Sequence, residues 1–231
     1  MRDPRGLRVL YGGTFDPVHL GHVAVARAAR DALDATVAFM PAADPPHRAP
    51  PGAPAADRAA MLELAIAGEP GLALDLRELQ RDGRSWTVDT LRALRADIGA
   101  DAPVALLVGA DSFAALPTWK SWRDLFDLAH FVVAGREGSG NAGAGVQDDA
   151  PLPELARAIA GRGVASADAL RASPAGRVFH LRQPLFPHSA SEVRARIAAD
   201  LPWEALVPAP VAAYVRAHRL YGAGLPRSGS A

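Results

Sequence analysis

The chain has 231 residues, of which 49% are hydrophobic and 22% charged, a composition that is ordinary for a globular protein. Its 25 basic and 25 acidic side chains give a formal net charge of zero, which removes the simplest argument for a nucleic-acid or membrane-surface binder. Cys is absent, so disulfides, zinc ribbons, iron–sulfur clusters and thiol nucleophiles are excluded together. No apolar run approaches the roughly 20 residues that cross a bilayer, and the first apolar stretch is too short for a signal peptide, so we expect a soluble, cytoplasmic protein.

Strands and helices alternate along the predicted elements. The hydrophobic pattern predicts strands at 7–11, 36–40, 72–75, 104–108, 131–134 and 178–181. It predicts helices at 18–33, 57–67 (capped by Asp57), 86–98, 191–199 and 210–219, with a Pro-rich loop at 41–54. Such alternation predicts an α/β fold in which helices cover both faces of a parallel sheet, with ligands bound beyond the carboxyl ends of the strands.

The predicted elements belong to one domain that covers residues 1–221, with a C-terminal helical part from about residue 189. Residues 138–150 are rich in Gly, Ala, Asn and Asp and predict a flexible loop inside that domain. The tail, residues 222–231, is predicted to be disordered.

The segment from Gly12 to His22 combines a double glycine, an Asp-Pro turn and a His-x-Gly-His sequence between a strand and a helix. Two glycines permit a sharp turn and a close approach to a ligand, and a helix start offers unpaired N–H groups to an anion. His19 and His22 share one helical face, and Gly21 leaves room between them. A packed or solvated histidine pair and a metal site are the alternatives, but the context favours nucleotide phosphates. Neither a Walker loop nor a dinucleotide-binding glycine motif is present.

Four further segments follow in order: Pro45-Pro46-His47-Arg48; Ser85-Trp86-Thr87-Val88-Asp89-Thr90-Leu91; Gly109-Ala110-Asp111-Ser112 with Thr118-Trp119; and Ser189-Ala190-Ser191-Glu192-Val193-Arg194. With the His-x-Gly-His segment, they resemble the nucleotidyltransferases that share this motif with class I aminoacyl-tRNA synthetases. Within that superfamily the chain is most similar to the bacterial nicotinate-nucleotide adenylyltransferases, up to about Arg219. The resemblance implies a Rossmann-like, doubly wound parallel sheet of the nucleotidyltransferase type.

The resemblance also implies a reaction in NAD biosynthesis. ATP and nicotinate mononucleotide would give nicotinic acid adenine dinucleotide and pyrophosphate, with Mg²⁺ held mainly by the ATP phosphates and water. A phosphate monoester has a second pKa near ~6, so the acceptor is mostly dianionic at neutral pH and needs no general base. Catalysis can therefore consist of aligning two anions and stabilising the charge of the leaving pyrophosphate.

The resemblance assigns roles to residues that match the family's motifs. The implied catalytic residues are His19, His22 and Arg194. The implied ATP and phosphate contacts are Gly12, Gly13, Thr14, Phe15, His47, Arg48, Gly109, Asp111 and Ser191. The implied nicotinate contacts are Ser85, Trp86, Thr87 and Trp119. The residues that depart from the common pattern are Trp86, Lys120, Glu137 and His188.

Other interpretations stay open at this point. Without the resemblance, Asp111 could be a turn residue, Ser191 a helix cap, and Trp119 a cover over a small core with Trp122. The acceptor could be nicotinamide mononucleotide, whereas His19 argues against a phosphopantetheine acceptor. A cytidylyltransferase, or a non-catalytic nucleotide-binding regulator of the same fold, is a further alternative. We expect small-molecule substrates only, without nucleic acid or membrane, and the sequence leaves open whether the chain forms a homo-oligomer.

Overall fold

Seven parallel strands form one sheet in the computed structural model, which describes residues 6–43, 51–81, 83–135, 152–183 and 186–224. The strands are β1 (Arg8–Gly13), β2 (Val37–Pro41), β3 (Leu72–Leu74), β4 (Val104–Gly109), β5 (His130–Ala134), β6 (Gly163–Val164) and β7 (Val178–Leu181). Their order across the sheet is β3-β2-β1-β4-β5-β7-β6, and every neighbouring pair is parallel. The chain therefore winds outward in both directions from the β1–β4 pair, which confirms the predicted doubly wound α/β fold.

Helices connect the strands. They are α1 (Leu20–Leu33), α2 (Ala55–Ile66), α3 (Thr87–Ile98), α4 (Ala110–Ala114), α5 (Leu125–Leu128), α6 (Pro153–Ile159), α7 (Ala167–Arg171), α8 (Ala190–Ala198) and α9 (Ala209–Ala217). Short 3₁₀ turns lie at Leu116–Thr118, Glu204–Leu206 and Leu220–Gly222. Among the described residues, no helix is long and apolar enough to cross a membrane.

The central strands are buried on both faces. On β1, Val9 and Tyr11 pack into one apolar cluster with α1, α2, α8 and α9, while Leu10 packs into another with α3 and α5. On β4, Leu107 joins the first cluster and Leu106 the second. Because side chains alternate along a strand, a continuous apolar run such as 104–108 supplies both layers at once. This is why the buried parallel strands could be recognised from sequence.

The helix boundaries differ from the sequence prediction mainly at α2. That helix begins at Ala55 with Pro54 at its N-cap, so the prediction that Asp57 caps it is wrong. Asp57 lies instead in the first turn, where its Oδ1 accepts a hydrogen bond of 2.8 Å from the Tyr214 hydroxyl. The helix carries no side-chain cap, and this contact to α9 fixes its first turn. Strand β6 and helices α4 to α7 were missed because two to seven residues are too few to show a periodic pattern.

The late helices share a core with the early strands. Val193 and Ile197 of α8, and Val211 and Val215 of α9, belong to the same apolar cluster as Val9 of β1. This packing supports a single domain, although its boundary at residue 221 remains a prediction. The predicted flexible loop at 138–150 and residues 225–231 of the predicted tail lie outside the described residues.

A buried arginine joins the ends of β1 and β2 to α2. Arg58 is only 1% exposed. Its Nη1 donates to the carbonyl oxygens of Thr14 (2.8 Å) and Ala42 (2.7 Å), Nη2 to that of Ala43 (3.2 Å), and Nε to that of Ala53 (3.3 Å). A buried charge is tolerated only when hydrogen bonds replace its lost hydration, and four carbonyl dipoles do so here. The guanidinium therefore fixes the loops that follow both strands.

We expect Arg58→Met to lower the free energy of unfolding by about 2–4 kcal/mol, because it leaves several buried carbonyls without a donor. Urea denaturation measures this loss. The matched control is Arg27→Met, which removes an arginine that is 47% exposed and paired with Glu69 on the surface, and should cost less than about 1 kcal/mol. Equal losses in the two variants would contradict a structural role for Arg58.

Candidate active site

The loop between β1 and α1 is shaped by close aromatic packing. Phe15 has a left-handed φ of 50°, and its buried ring lies against Tyr11 and Phe39, with centroid distances of 5.4 and 5.3 Å. A Cβ on Gly13 would lie 2.8 Å from the Phe15 ring. Neither Gly12 nor Gly13 has a positive φ, so the expected sharp glycine turn is wrong. Gly13 is required because the Phe15 ring packs against the end of β1 and leaves no room there for a side chain.

Two histidines stack at the start of α1. His19 is the N-cap residue, and the centroids of the His19 and His22 rings are 3.7 Å apart. The backbone N–H of His19 donates to Nδ1 of His22 at 3.2 Å. That bond makes Nδ1 an acceptor, so the proton of the neutral His22 ring sits on Nε2. The helix start thus presents two imidazoles side by side.

The His19 ring is buried with one nitrogen unsatisfied. Its side chain is 8% exposed, and within the described residues its Nδ1 has no hydrogen-bond partner. Burial lowers the pKa of His19 to about 4, with a smaller contribution from the nearby charge of His188. A Cβ at Gly21 would lie 3.0 Å from this Nδ1. A buried, unpaired nitrogen beside a helix N-terminus is the arrangement that an anionic ligand oxygen would satisfy.

Asp16 links this loop to two distant segments. The carboxylate is 4% exposed, and it accepts hydrogen bonds from the backbone N–H groups of Gly52 (2.7 Å) and Ala53 (3.1 Å). The Tyr221 hydroxyl also donates to it, at 2.7 Å. Burial raises the pKa of Tyr221 well above its ordinary value, and the hydrogen bond to the Asp16 carboxylate raises it further. Asp16 thereby ties the end of the described chain to the β1–α1 loop.

Arg194 of α8 reaches the same loop. Its Nη1 donates to the backbone carbonyl of Asp16 at 2.5 Å and lies 3.6 Å from the carboxylate. Its Nη2 donates to Ser191 Oγ at 3.2 Å. The residue that caps α8 is Ser189, whose Oγ accepts from the N–H of Glu192, so Ser191 is not the cap. Ser191 and Arg194 thus form a polar pair on the first turns of α8, held beside the His19 loop through Asp16.

A cavity of about 390 Å³ opens at the carboxyl ends of β1 and β4. It occupies the place where the winding direction of the sheet reverses, the usual ligand site of such folds. The lining includes these predicted site residues: Gly12, Gly13, Thr14, Ser85, Trp86, Thr87, Gly109, Asp111 and Trp119. The other predicted residues do not line this cavity. Phe15 and His19 lie on the β1–α1 loop and His22 on the first turn of α1, while Ser191 and Arg194 lie on α8, which the bond from Arg194 to the Asp16 carbonyl joins to that loop. His47 and Arg48 lie outside the described residues.

Hydrogen bonds fix the segment that leads into α3. Ser85 Oγ accepts from the N–H of Ala43 at 2.9 Å, and Thr90 Oγ1 donates to Glu78 Oε1 at 2.7 Å. Trp86 is the N-cap of α3 and supplies no side-chain cap bond. No capping side chain therefore accepts from the first N–H groups of α3. The cavity lies at this end of the helix, since Trp86 and Thr87 line it.

Sequence reasoning missed two buried charges near the cavity. Glu78 is 4% exposed and lines it, and burial raises the pKa of its carboxyl group, an effect that the hydrogen bonds from Thr90 and Ser85 partly offset. No local pattern identifies Glu78. Arg58 had a signal, since its spacing from Met61 and Leu62 places it on the buried face of α2.

The low pKa of His19 predicts a pH-dependent loss of stability. The unfolded chain protonates this imidazole near pH 6.5 and the folded chain only near pH 4, so stability present above pH 6.5 is lost as the pH falls toward 4. Between about pH 7.5 and pH 5, the wild type should lose about 2 kcal/mol more than His19→Gln in urea denaturation. The same dependence in both proteins would show that His19 titrates normally.

Comparison with known proteins agrees with this geometry. The family model for cytidylyltransferase-like proteins matches residues 10–196. A Stenotrophomonas maltophilia protein named probable nicotinate-nucleotide adenylyltransferase is 57% identical over 95% of this chain and 99% of its own length, and a Xylella fastidiosa protein of that name is 48% identical over 94% and 96%.

A solved structure shows the same fold. Plasmodium falciparum nicotinic acid mononucleotide adenylyltransferase, complexed with NaAD, superimposes with a TM-score of 0.69 over 96% of this chain and 100% of that one, at 14% identity. The chain belongs to the nicotinate-nucleotide adenylyltransferase family, within the cytidylyltransferase-like nucleotidyltransferases, and is an enzyme of the nucleotidyl-transfer class.

Proposed function

We propose that the protein transfers the adenylyl group of ATP to nicotinate mononucleotide, giving nicotinic acid adenine dinucleotide and pyrophosphate in NAD biosynthesis. The observation that carries the proposal is the stacked pair of His19 and His22, in which the buried Nδ1 of His19 lacks a partner among the described residues. The pair stands at the start of α1, and the loop that leads to it begins at Thr14, which lines the cavity together with Trp119 and Trp86, the N-cap residue of α3. The names of the relatives supply the identity of the acceptor.

The reaction needs alignment rather than proton transfer. A phosphate oxygen of nicotinate mononucleotide attacks the α-phosphorus of ATP, and the bond from that phosphorus to the pyrophosphate oxygen breaks. The attacking monoester has a second pKa near ~6, so it arrives mostly as a dianion and no side chain has to remove a proton. The barrier is then lowered by holding the two anions in line and by stabilising the charge on the leaving pyrophosphate.

His19, His22 and Arg194 would bind the triphosphate and the charge that develops on it. Neutral imidazoles donate one N–H each, and the orphan Nδ1 of His19 gains a partner when a phosphate oxygen arrives. Arg194 and Ser191 would contribute from α8, where Arg194 donates to the carbonyl of Asp16 and to Ser191 Oγ. The backbone of Thr14 and Phe15 would add contacts from the β1–α1 loop.

Mg²⁺ would enter with ATP. As the family resemblance implies, the ATP phosphates and water would be its main ligands. When bound, the ion neutralises phosphate charge.

The nucleotide would also contact residues that cover the carboxyl ends of the strands. Gly12 and Gly13 of β1, Gly109 of β4 and Asp111 of α4 line the cavity. The proposed phosphate contacts of His47 and Arg48 remain predictions from the family resemblance. Residues on both sides of that segment are anchored at the site, since Arg58 binds the carbonyls of Ala42 and Ala43, and Asp16 binds the N–H groups of Gly52 and Ala53.

The pyridine would occupy the α3 side of the cavity. Trp119 would stack on the ring, while backbone groups of Ser85, Trp86 and Thr87 would meet its carboxylate. The half-buried Trp119 lines the cavity and also touches the core cluster that contains Trp122, so both interpretations of this residue describe part of its surface. We also infer that the protein is located in the cytoplasm.

His22→Ala should lower kcat for pyrophosphate release by roughly 10²–10³, the usual loss when one charge-stabilising donor is removed. His180→Ala, which removes an exposed histidine from β7, is the control and should leave kcat unchanged within about 2-fold. Urea midpoints show whether both variants remain folded. Near-normal turnover of a folded His22→Ala enzyme would refute the phosphate role of the histidine pair.

Trp119→Ala should weaken nicotinate and nicotinamide mononucleotides alike, because both pyridine rings can stack. The expected loss in kcat/KM is about 10-fold or more for each substrate, by analogy with base–aromatic stacking of ~1–3 kcal/mol. The unmodified enzyme should prefer the nicotinate form by at least about 10²-fold, since an amide would turn its NH₂ toward N–H donors. Trp119→Phe should retain most activity. Comparable rates of the unmodified enzyme with both acceptors would refute specificity for the acid.

A further inference from the structure

We propose that Lys120 is a specificity-determining residue that attracts the carboxylate of the pyridine substrate. The inference rests on the proposed function and adds to it a formal positive charge at the pyridine end of the cavity. Lys120 is the single lysine of the chain and lines the cavity.

Lys120 is held in place by two neighbours. Its Nζ lies 2.8 Å from Oδ2 of Asp89 and 5.5 Å from the centroid of the Trp86 ring. Both partners stand at the beginning of α3, where Trp86 is the N-cap and Asp89 lies in the first turn. The ammonium group is therefore positioned at the helix end whose backbone groups would meet the substrate carboxylate. A lysine ammonium has three donors, so the bond to Asp89 leaves it able to bind a second oxygen.

The cavity has little other positive charge to offer an anionic ring. The ionisable side chains among its described lining residues are Glu78, Asp111 and Lys120, two acids and one base. The acids disfavour a carboxylate that approaches them, and Lys120 opposes that effect. Nicotinate and nicotinamide mononucleotides differ by one formal charge at the same ring position. Backbone N–H groups would favour the carboxylate because it only accepts hydrogen bonds, whereas the amide also carries donors. A nearby ammonium would favour the carboxylate by its negative charge as well.

Three variants test the role of Lys120, each measured by pyrophosphate release with both mononucleotides at saturating ATP. Lys120→Met should lower kcat/KM for nicotinate mononucleotide by about 5- to 10-fold through a higher KM, with kcat and the values for nicotinamide mononucleotide within about 2-fold. Lys120→Arg should restore most of the preference. Arg92→Met is the matched control, because Arg92 also lies near Asp89 (3.8 Å) but does not line the cavity, and it should change neither substrate.

Asp89→Asn separates charge from local structure. If Lys120 serves only to hold the first turn of α3 through Asp89, this variant should reproduce the loss seen in Lys120→Met, and that result would overturn the proposal. We expect Asp89→Asn to keep the preference for the acid.

Salt dependence gives a second measure of the charge effect. Raising KCl from about 0.05 to about 0.5 M should narrow the preference of the wild type more than that of Lys120→Met, because Lys120 is 45% exposed and its charge is screened.

The outcomes separate this inference from the proposed function. A wild-type enzyme that does not adenylylate nicotinate mononucleotide would refute the proposed function itself. An active and acid-selective wild type whose preference survives in Lys120→Met would refute only the role of Lys120. An equal loss for both mononucleotides in Lys120→Met would also overturn it, since that result shows general packing against Trp86 rather than recognition of charge.

Discussion

The buried guanidinium of Arg58 is the interaction on which the site depends most. It stands where three loop segments meet, and it bonds the carbonyls of Thr14, Ala42 and Ala53 at once. Loops that leave the carboxyl ends of parallel strands carry backbone polar groups into a buried crevice, where each needs a partner. The planar guanidinium has five N–H donors, so it can bond several carbonyls at the same time. A lysine ammonium has three donors on one atom and cannot reach carbonyls that are spread in this way. The strand ends are fixed before any ligand binds.

Asp16 complements Arg58 by fixing the N–H groups of the same region. Its carboxylate binds the backbone of Gly52 and Ala53 and the hydroxyl of Tyr221, while Arg194 holds its carbonyl. Through these bonds helix α8 and the 3₁₀ turn at Leu220–Gly222 are joined to the loop between β1 and α1. A donor on α8 is therefore held beside the β1–α1 loop, although the two elements are distant in sequence. Support of this kind would fix the proposed catalytic side chains relative to one another.

The parts that sequence predicts well are those whose signal is local. Apolar runs such as 104–108 identify strands buried on both faces, and the His-x-Gly-His motif places His19 and His22 together. The tie between Tyr221 and Asp16 spans 205 positions, so no local pattern reveals it. Glu78 sits in an irregular segment without periodicity. Arg58 lies between these cases, because helical spacing puts it on a buried face but nothing nearby in sequence supplies its partners. Distant contacts, not local propensity, complete the site.

The histidine pair shows how burial and a helix start act on the same residues. Two imidazoles 3.7 Å apart repel each other when both are charged, but burial, with a smaller contribution from His188, lowers the pKa of His19 to about 4, so its ring is neutral at neutral pH. A neutral imidazole still donates one N–H, so the unpaired Nδ1 of His19 can bind an anionic oxygen without first taking up a proton. The permanent positive charge near this pair comes from Arg194, whose guanidinium donates to the carbonyl of Asp16. A protein of zero net charge can thus present local donors and a guanidinium to an anion.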